Sequence, residues 1–132
     1  MDCLFCSIVA GDIPARKVYE DEHAFAFLDI EPWHKGHTLV VPRRHVDDLT
    51  GDAEVLSEIA PAISHVSRLL VERLDADGIN MLSSAGPVAG QEVFHLHVHL
   101  VPRFGADPGL GALFRKGVTD DPDEVLTQII DS

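Results

Sequence analysis

The stretch VFHLHVHLV, residues 93–101, sets His95, His97 and His99 at every second position, with Leu96, Val98 and Leu100 between them. Strict alternation is strand geometry, because successive side chains leave a β-strand on opposite faces. The imidazoles therefore share one face and the aliphatic residues the other, which requires a sheet that is apolar beneath and histidine-lined above. Neighbouring imidazoles on such a strand lie about 7 Å apart. One buried, hydrogen-bonded histidine is ordinary core chemistry. Three in alternation suit a metal cage or a polar catalytic surface.

The remaining strands of that sheet are readable upstream. Val18 and Tyr19 lead into a turn at EDE, HAFAFLDI (23–30) is strand-like, EPWHKG breaks it, and HTLVVP (37–42) resumes. Short connections between such runs favour antiparallel neighbours. From Asp52 to Leu74 the period changes. Leu56, Ile59, Ile63, Val66 and Leu70 recur at three and four residues, the stripe of an amphipathic helix, and Pro61 inside it predicts a kink or a break. After Gly78 the pattern returns to strand at INMLSS, then the loop AGPVAGQE leads into the histidine strand. The tail DDPDEVLTQII predicts a last helix, with Asp121 as N-cap, Pro122 at the first helical position and Glu124 completing a capping box. Segregated strands and helices point to an α+β fold with an antiparallel sheet.

At 132 residues and 45 % hydrophobic content, the chain reads as one domain, 1–132, able to bury a core without disulfides. No apolar run approaches the ~18 residues of a membrane span, and the N-terminus lacks the pattern of a signal peptide. The expectation is a cytoplasmic protein with no membrane partner. A formal charge of −12 repels polyanions and argues against nucleic acid as a partner. Any phosphate-bearing substrate must be attracted locally, against that field.

The two cysteines, Cys3 and Cys6, form a CxxC that offers half a zinc site, with eight histidines available for the other half. GLGALF (109–114) lacks the third glycine and preceding strand of a dinucleotide fingerprint, and no phosphate-binding P-loop is present. Imidazole serves near neutral pH as nucleophile, general acid or base, and metal ligand. A neutral histidine that attacks phosphorus divides one hard displacement into two easier ones. The small residues of AGPVAGQE let backbone N–H groups approach an anion. From the residues alone, the reading is a histidine-based phosphoryl or nucleotidyl transfer site. A metallohydrolase with the triad itself as three zinc ligands, and a nucleotide-binding adaptor with little turnover, are the alternatives.

HLHVHLV matches the H-x-H-x-H-x-x signature, x being hydrophobic, of the histidine triad (HIT) family of nucleotide hydrolases and transferases. FCSIVAGDIPARKVYED, FLDIEPWHKGHTLVVPRRHV and AGQEVFHLHVHLVPR resemble that family's three main blocks in order, across residues 3–103. The resemblance implies a five-stranded antiparallel sheet with one long helix, short flanking helices, a C-terminal extension over 104–132, and a homodimer. It implies that His97 is the nucleophile toward the α-phosphate of a purine nucleotide conjugate, a phosphoramidate or a dinucleoside polyphosphate. His95 and His99 flank it, and His37 helps orient them. By the same likeness Asp29 accepts hydrogen bonds from the ribose, and Ile30, Phe5, Ile8 and Phe27 enclose the base. Ser84, Gln91 and Glu92 fall near the phosphate and leaving group, with Ser84 where related branches carry a carboxamide and Glu92 where they carry Ser or Thr. For CLFC the resemblance implies structural zinc held by Cys3, Cys6, His45 and His95.

Overall fold

The computed structural model describes residues 3–106, 108–114 and 117–131. The chain runs α1 (Leu4–Val9), β1 (Lys17–Glu20), β2 (Ala24–Leu28), β3 (Thr38–Pro42), α2 (Ala53–Leu74), β4 (Gly78–Leu82), β5 (Val98–Arg103) and α3 (Pro122–Ile130), with short 3-10 turns at Pro87–Ala89 and Leu110–Ala112. The strands form one five-stranded antiparallel sheet in the order β1-β2-β3-β5-β4, so the α+β expectation holds. Among the described residues, no helix is long and apolar enough to cross a membrane.

The central strands AFAFL and TLVVP are buried throughout because the sheet is covered on both faces. Ala24, Ala26, Leu28 and Val40 face α2, in a core completed by Val55, Ile59, Ala62, Val66 and Leu70 from the helix. The small alanines let the helix lie close to the sheet. Phe25, Phe27, Leu39 and Val41 face the other way, against Cys3, Phe5 and Ile8 of the N-terminal segment. Leu96, Val98 and Leu100 join the helix-side core, which leaves the alternating histidines on the side of α1. Val125 and Ile129 of α3 enter the helix-side core as well.

Several local expectations are corrected. Helix α2 is continuous from Ala53 to Leu74 through Pro61, which sits on the exposed face, where the Ser57 carbonyl that loses its helical donor can turn to water. Val55, not Leu56, begins the buried stripe, and Leu56 is exposed. The strand over 23–30 is shorter, Ala24–Leu28. The Asp121 carboxylate caps α3 by accepting from the Asp123 N–H at 2.9 Å, and among the described residues no hydrogen bond from Glu124 closes a box.

The main correction concerns the histidine strand, which begins at Val98 and not at Val93. Pairing Val40 with Val98 and Leu39 with His99 would, if continued, set Pro42 opposite Leu96. Proline has no N–H to extend the ladder. The Leu96 N–H instead donates to the Val46 carbonyl at 2.7 Å, so residues 93–97 leave the sheet as a bent segment that keeps its sidedness.

Candidate active site and metal-ligating cluster

The bend brings the imidazoles closer than a regular strand does. The His97 and His99 ring centroids lie 5.0 Å apart, and His37, at the start of β3, lies 5.1 Å from His99. His37, His95 and His97 are buried, and His99 is half-buried.

Hydrogen bonds fix the protonation of each ring, since a neutral imidazole carries one N–H and one lone pair. His97 Nδ1–H donates to the His95 carbonyl at 2.8 Å, which leaves the lone pair on Nε2, and Nε2 has no partner among the described residues. Ser83, just past β4, holds the same segment through its hydroxyl, which donates to the His97 carbonyl at 2.7 Å. The Trp33 N–H donates to His37 Nδ1 at 3.0 Å, so the His37 proton is on Nε2 and donates to His99 Nδ1 at 2.9 Å. His99 therefore carries its proton on Nε2, which has no partner among the described residues. Burial, then the neighbouring His99, His34 and His97, lowers the His37 pKa to about 3. Burial and His97 lower that of His99 to about 4. Near neutral pH the pair is an uncharged relay ending in His99 Nε2–H, on a ring whose centroid lies 5.0 Å from that of His97.

His95 faces a different task. Its Nε2–H donates to the Pro42 carbonyl at 2.8 Å, and His45 Nε2–H donates to Asp47 Oδ1 at 2.9 Å. Both rings thus turn an Nδ1 lone pair inward. The two Nδ1 atoms are 3.2 Å apart, and Cys3 Sγ and Cys6 Sγ each lie 3.4 Å from His95 Nδ1, with Cys6 Sγ also 3.4 Å from His45 Nδ1. Tetrahedral zinc with ordinary Zn–N and Zn–S bonds sets N···N and N···S edges of about 3.3–3.6 Å. The cluster is already close to that shape. The carboxylate on the far nitrogen of His45 is the usual outer support of such a ligand. Burial, followed by the adjoining Cys3 thiol, raises the Cys6 pKa, so a metal that binds here must displace the Cys6 proton. Helix α1 starts here, with Cys3 as N-cap and its Sγ accepting from the Cys6 N–H at 3.4 Å. The ligand atoms of His95, His97 and His99 do not converge, which removes the support for a metal held by the triad itself. A second group, Asp29, His37 and His99, has ligand atoms within 4.8 Å of one another, but its central contact is the His37–His99 hydrogen bond.

The other expected site residues divide. Asp29 is half-buried, accepts from the Glu31 N–H at 2.8 Å and lies 3.6 Å from His37 Nε2. Burial raises its pKa; the Glu31 N–H and His97 oppose the rise, and Glu31 and Glu92 add to it. Phe5 meets the His97 ring edge-on at 5.1 Å and Phe27 at 5.5 Å, and with Ile8 they form a buried wall behind the triad. Ile30 is 82 % exposed, so it stands clear of that wall. Glu92 is exposed and Ser84 half-buried, and Ser83, not Ser84, holds the triad segment. The Gln91 carboxamide is committed inside the protein. It accepts from the Gly86 N–H at 2.8 Å and donates to the Asp47 and Val93 carbonyls at 2.6 and 3.1 Å, bracing the loop before the triad.

Sequence reasoning passed over Trp33, His34 and Phe114. Trp33 stacks on His99 at 4.8 Å and 15°, and Phe114 meets Trp33 edge-on at 4.9 Å. His34 Nε2–H donates to the Ala112 carbonyl at 2.8 Å, tying the segment that carries Phe114 to this turn. The only signal for them was a Trp-His pair in a stretch that otherwise reads as a strand break.

A five-stranded antiparallel sheet that carries a tautomer-fixed histidine set beside a Cys2His2 cluster defines a compact class of histidine-dependent enzymes. The HIT domain profile matches residues 10–106, and the chain belongs to the histidine triad family, whose activities are of the nucleotide hydrolase and transferase type. It is 42 % identical over 132 residues to the protein Hit of Bacillus subtilis, covering 99 % of this chain and 91 % of that one. It is 46 % identical over 129 residues to a HIT-like protein of Methanocaldococcus jannaschii, covering 96 % and 98 %. Among solved structures, a zinc-bound histidine triad family protein from Mycobacterium smegmatis superposes with a TM-score of 0.86 at 40 % identity, over 98 % of this chain and 91 % of that one.

Proposed function

We propose that this protein cleaves nucleotide conjugates at the α-phosphate through a nucleotidyl-His97 intermediate. The observation that carries the reading is the hydrogen bond from His97 Nδ1–H to the His95 carbonyl, which leaves Nε2 unprotonated and able to act as the nucleophile. In the first step an Nε2–phosphorus bond forms, the bond from phosphorus to the leaving group breaks, and the leaving atom takes up a proton. The carbonyl on Nδ1–H stabilises the positive charge that develops on the ring. His99 Nε2–H, backed by His37, donates to the phosphoryl oxygens, a hydrogen bond that strengthens as their charge grows. Water then attacks phosphorus, the Nε2–phosphorus bond breaks, and the proton the water loses replaces the one drawn from solvent by the leaving atom, so the nucleoside monophosphate is released and His97 returns to its neutral form.

Asp29, beside His37, accepts from the ribose hydroxyls, and exposed Ile30 packs on a purine base whose inner side meets the wall of Phe5, Ile8 and Phe27. Gln91 acts by shaping the loop that lines the phosphate. Ser84 and Glu92 face the leaving group, a phosphoramidate amine or a second nucleotide. Cys3, Cys6, His45 and His95 hold a structural zinc ion, consistent with the zinc-bound relative and with the cluster's edge lengths. The zinc supplies cross-linking, not reaction chemistry. A cytoplasmic setting keeps the thiols reduced, and the working form is a homodimer.

The test is His97→Ala. Turnover of adenosine and guanosine phosphoramidates and dinucleoside polyphosphates should be lost, while binding of the monophosphate stays within about tenfold, or 1.4 kcal/mol. Base-quenched wild-type reactions should carry one added nucleotide mass on the His97 peptide. Turnover without any adduct under single-turnover conditions would overturn the covalent route, and binding without turnover would make the protein an adaptor.

A further inference from the structure

The turn EPWHKGH supplies the His37–His99 relay with more than His37. Trp33 touches both partners: its backbone N–H donates to His37 Nδ1 at 3.0 Å, and its indole lies over the His99 ring at 4.8 Å with only 15° between the planes. The indole also covers His37, at 4.6 Å and 38°. Phe114 packs edge-on against its outer part, and the His34 bond to Ala112 holds that segment in place. A ring gripped along one whole face can turn only at the cost of that contact. His99 Nε2 has no hydrogen-bond partner among the described residues.

We propose that Trp33 is a positioning residue for the phosphate-facing proton of His99: its N–H assigns the His37 proton to Nε2, and its indole face fixes the plane of His99. This rests on the reading of His99 as a donor to the phosphoryl oxygens, but the arrangement of the relay is a property of the resting protein and is measurable without substrate. The N–H contribution is retained by any residue at 33 except proline. The indole contribution is what substitution removes. Without it, His99 keeps Nδ1 against His37 but gains freedom to rock and contact with water. Stacking geometry of this kind directs a hydrogen bond that catalysis uses only if the donor is held within about 0.5 Å of its productive position.

The groups that face His99 are few. His37 meets its Nδ1, His97 meets its ring at 5.0 Å, and the Asp29 carboxylate lies 3.6 Å from the same His37 Nε2 and within 4.8 Å of a His99 ring nitrogen. The paired strand residues are Leu39 and Leu82, both uncharged. Trp33 is thus the neighbour whose removal hydrates His99 without altering a charge. Hydration favours the protonated ring, so His99 should then titrate closer to its ordinary value of about 6.5.

The experiment compares Trp33→Leu, which keeps apolar bulk without a flat face, with Trp33→Phe, which keeps the face, in metal-loaded protein. Imidazole 15N NMR should show wild-type His99 as a fixed Nε2–H tautomer. Trp33→Leu should raise its pKa by about one unit or more, whereas Trp33→Phe should stay near wild type. In turnover, Trp33→Leu should lower kcat by roughly tenfold or more with KM within about threefold, the pattern of an interaction made in the transition state. Phe114→Ala, which loosens only the outer contact, should shift both readouts in the same direction by less. An unchanged His99 tautomer and pKa in folded Trp33→Leu would overturn the proposal whatever the activity. A shifted His99 with unchanged kcat would overturn the link to catalysis and leave the nucleotidyl-His97 reading standing. Absence of turnover in wild type, with the NMR shift present, would strike that reading and not the positioning by Trp33.

Discussion

Acidification should destabilise this fold through histidines held neutral in it, chiefly buried His37 and half-buried His99. His37 and His99 have pKa values of about 3 and about 4 in the folded protein, against about 6.5 in the unfolded chain. Below the unfolded value the unfolded chain binds a proton at each that the native state refuses. Stability is therefore complete above about pH 7 and falls with pH down to the folded values. Each group costs up to about 1.4 kcal/mol per pH unit once the unfolded chain is fully protonated, and integration from about pH 7.5 to about pH 5 gives about 2 kcal/mol for each. The pair then removes about 4 kcal/mol, a large part of the 5–15 kcal/mol that holds a typical domain. His95, lowered mainly by burial, acts in the same sense, whereas Asp29, raised by burial, acts oppositely at the acid end, so the window stops near pH 5. Urea unfolding at several pH values measures the slope, and His37→Gln isolates one group. The variant should lose about 2 kcal/mol less than wild type across the window. Equal losses in the two proteins would refute the claim that His37 is held neutral by burial.

Cys3→Ser/Cys6→Ser should lose about one zinc per chain by elemental analysis, as expected of one four-ligand site, and should melt earlier than metal-loaded wild type. Equal melting of metal-free wild type and the double variant would return both cysteines to packing. Gly36→Ala places a Cβ against Leu74 and Pro102 at a residue with φ +84°, just before His37. It should cost roughly 2 kcal/mol or more by thermal or urea unfolding, and a neutral result would show that the turn relaxes freely. Glu92→Gln removes an exposed carboxylate that opposes an anion near Asp29. Monophosphate binding should tighten by up to about fivefold at low salt and lose the gain at high salt, as calorimetry can check.

The alternation HLHVHLV was enough to assign the two faces of the sheet, because period two has one geometric meaning. It did not show that the strand begins only at Val98. That depends on Pro42, which lies far away in sequence and meets the segment only through the register of β3 with β5. The α2 stripe was legible through its period, but whether it opened at Val55 or Leu56 depended on which side of the helix met Ala24 and Ala26. CLFC offered two candidate ligands by spacing. Resemblance supplied His45 and His95 as the other two, and the fold brought all four together. Residue types supplied the imidazoles but not their tautomers. Each is set by a hydrogen-bond partner that residue type does not name: the distant Pro42 carbonyl for His95, and the nearby Trp33 N–H for His37 and Asp47 carboxylate for His45, which meet those rings only in the folded turn conformation. Gln91 shows the same limit, since a carboxamide beside a catalytic loop reads equally as ligand or brace until its three partners are known. Periodicity and spacing are local properties of a chain and survive in its sequence. The direction of a proton is set by hydrogen bonds whose geometry, even between near neighbours in sequence, exists only once the backbone has folded.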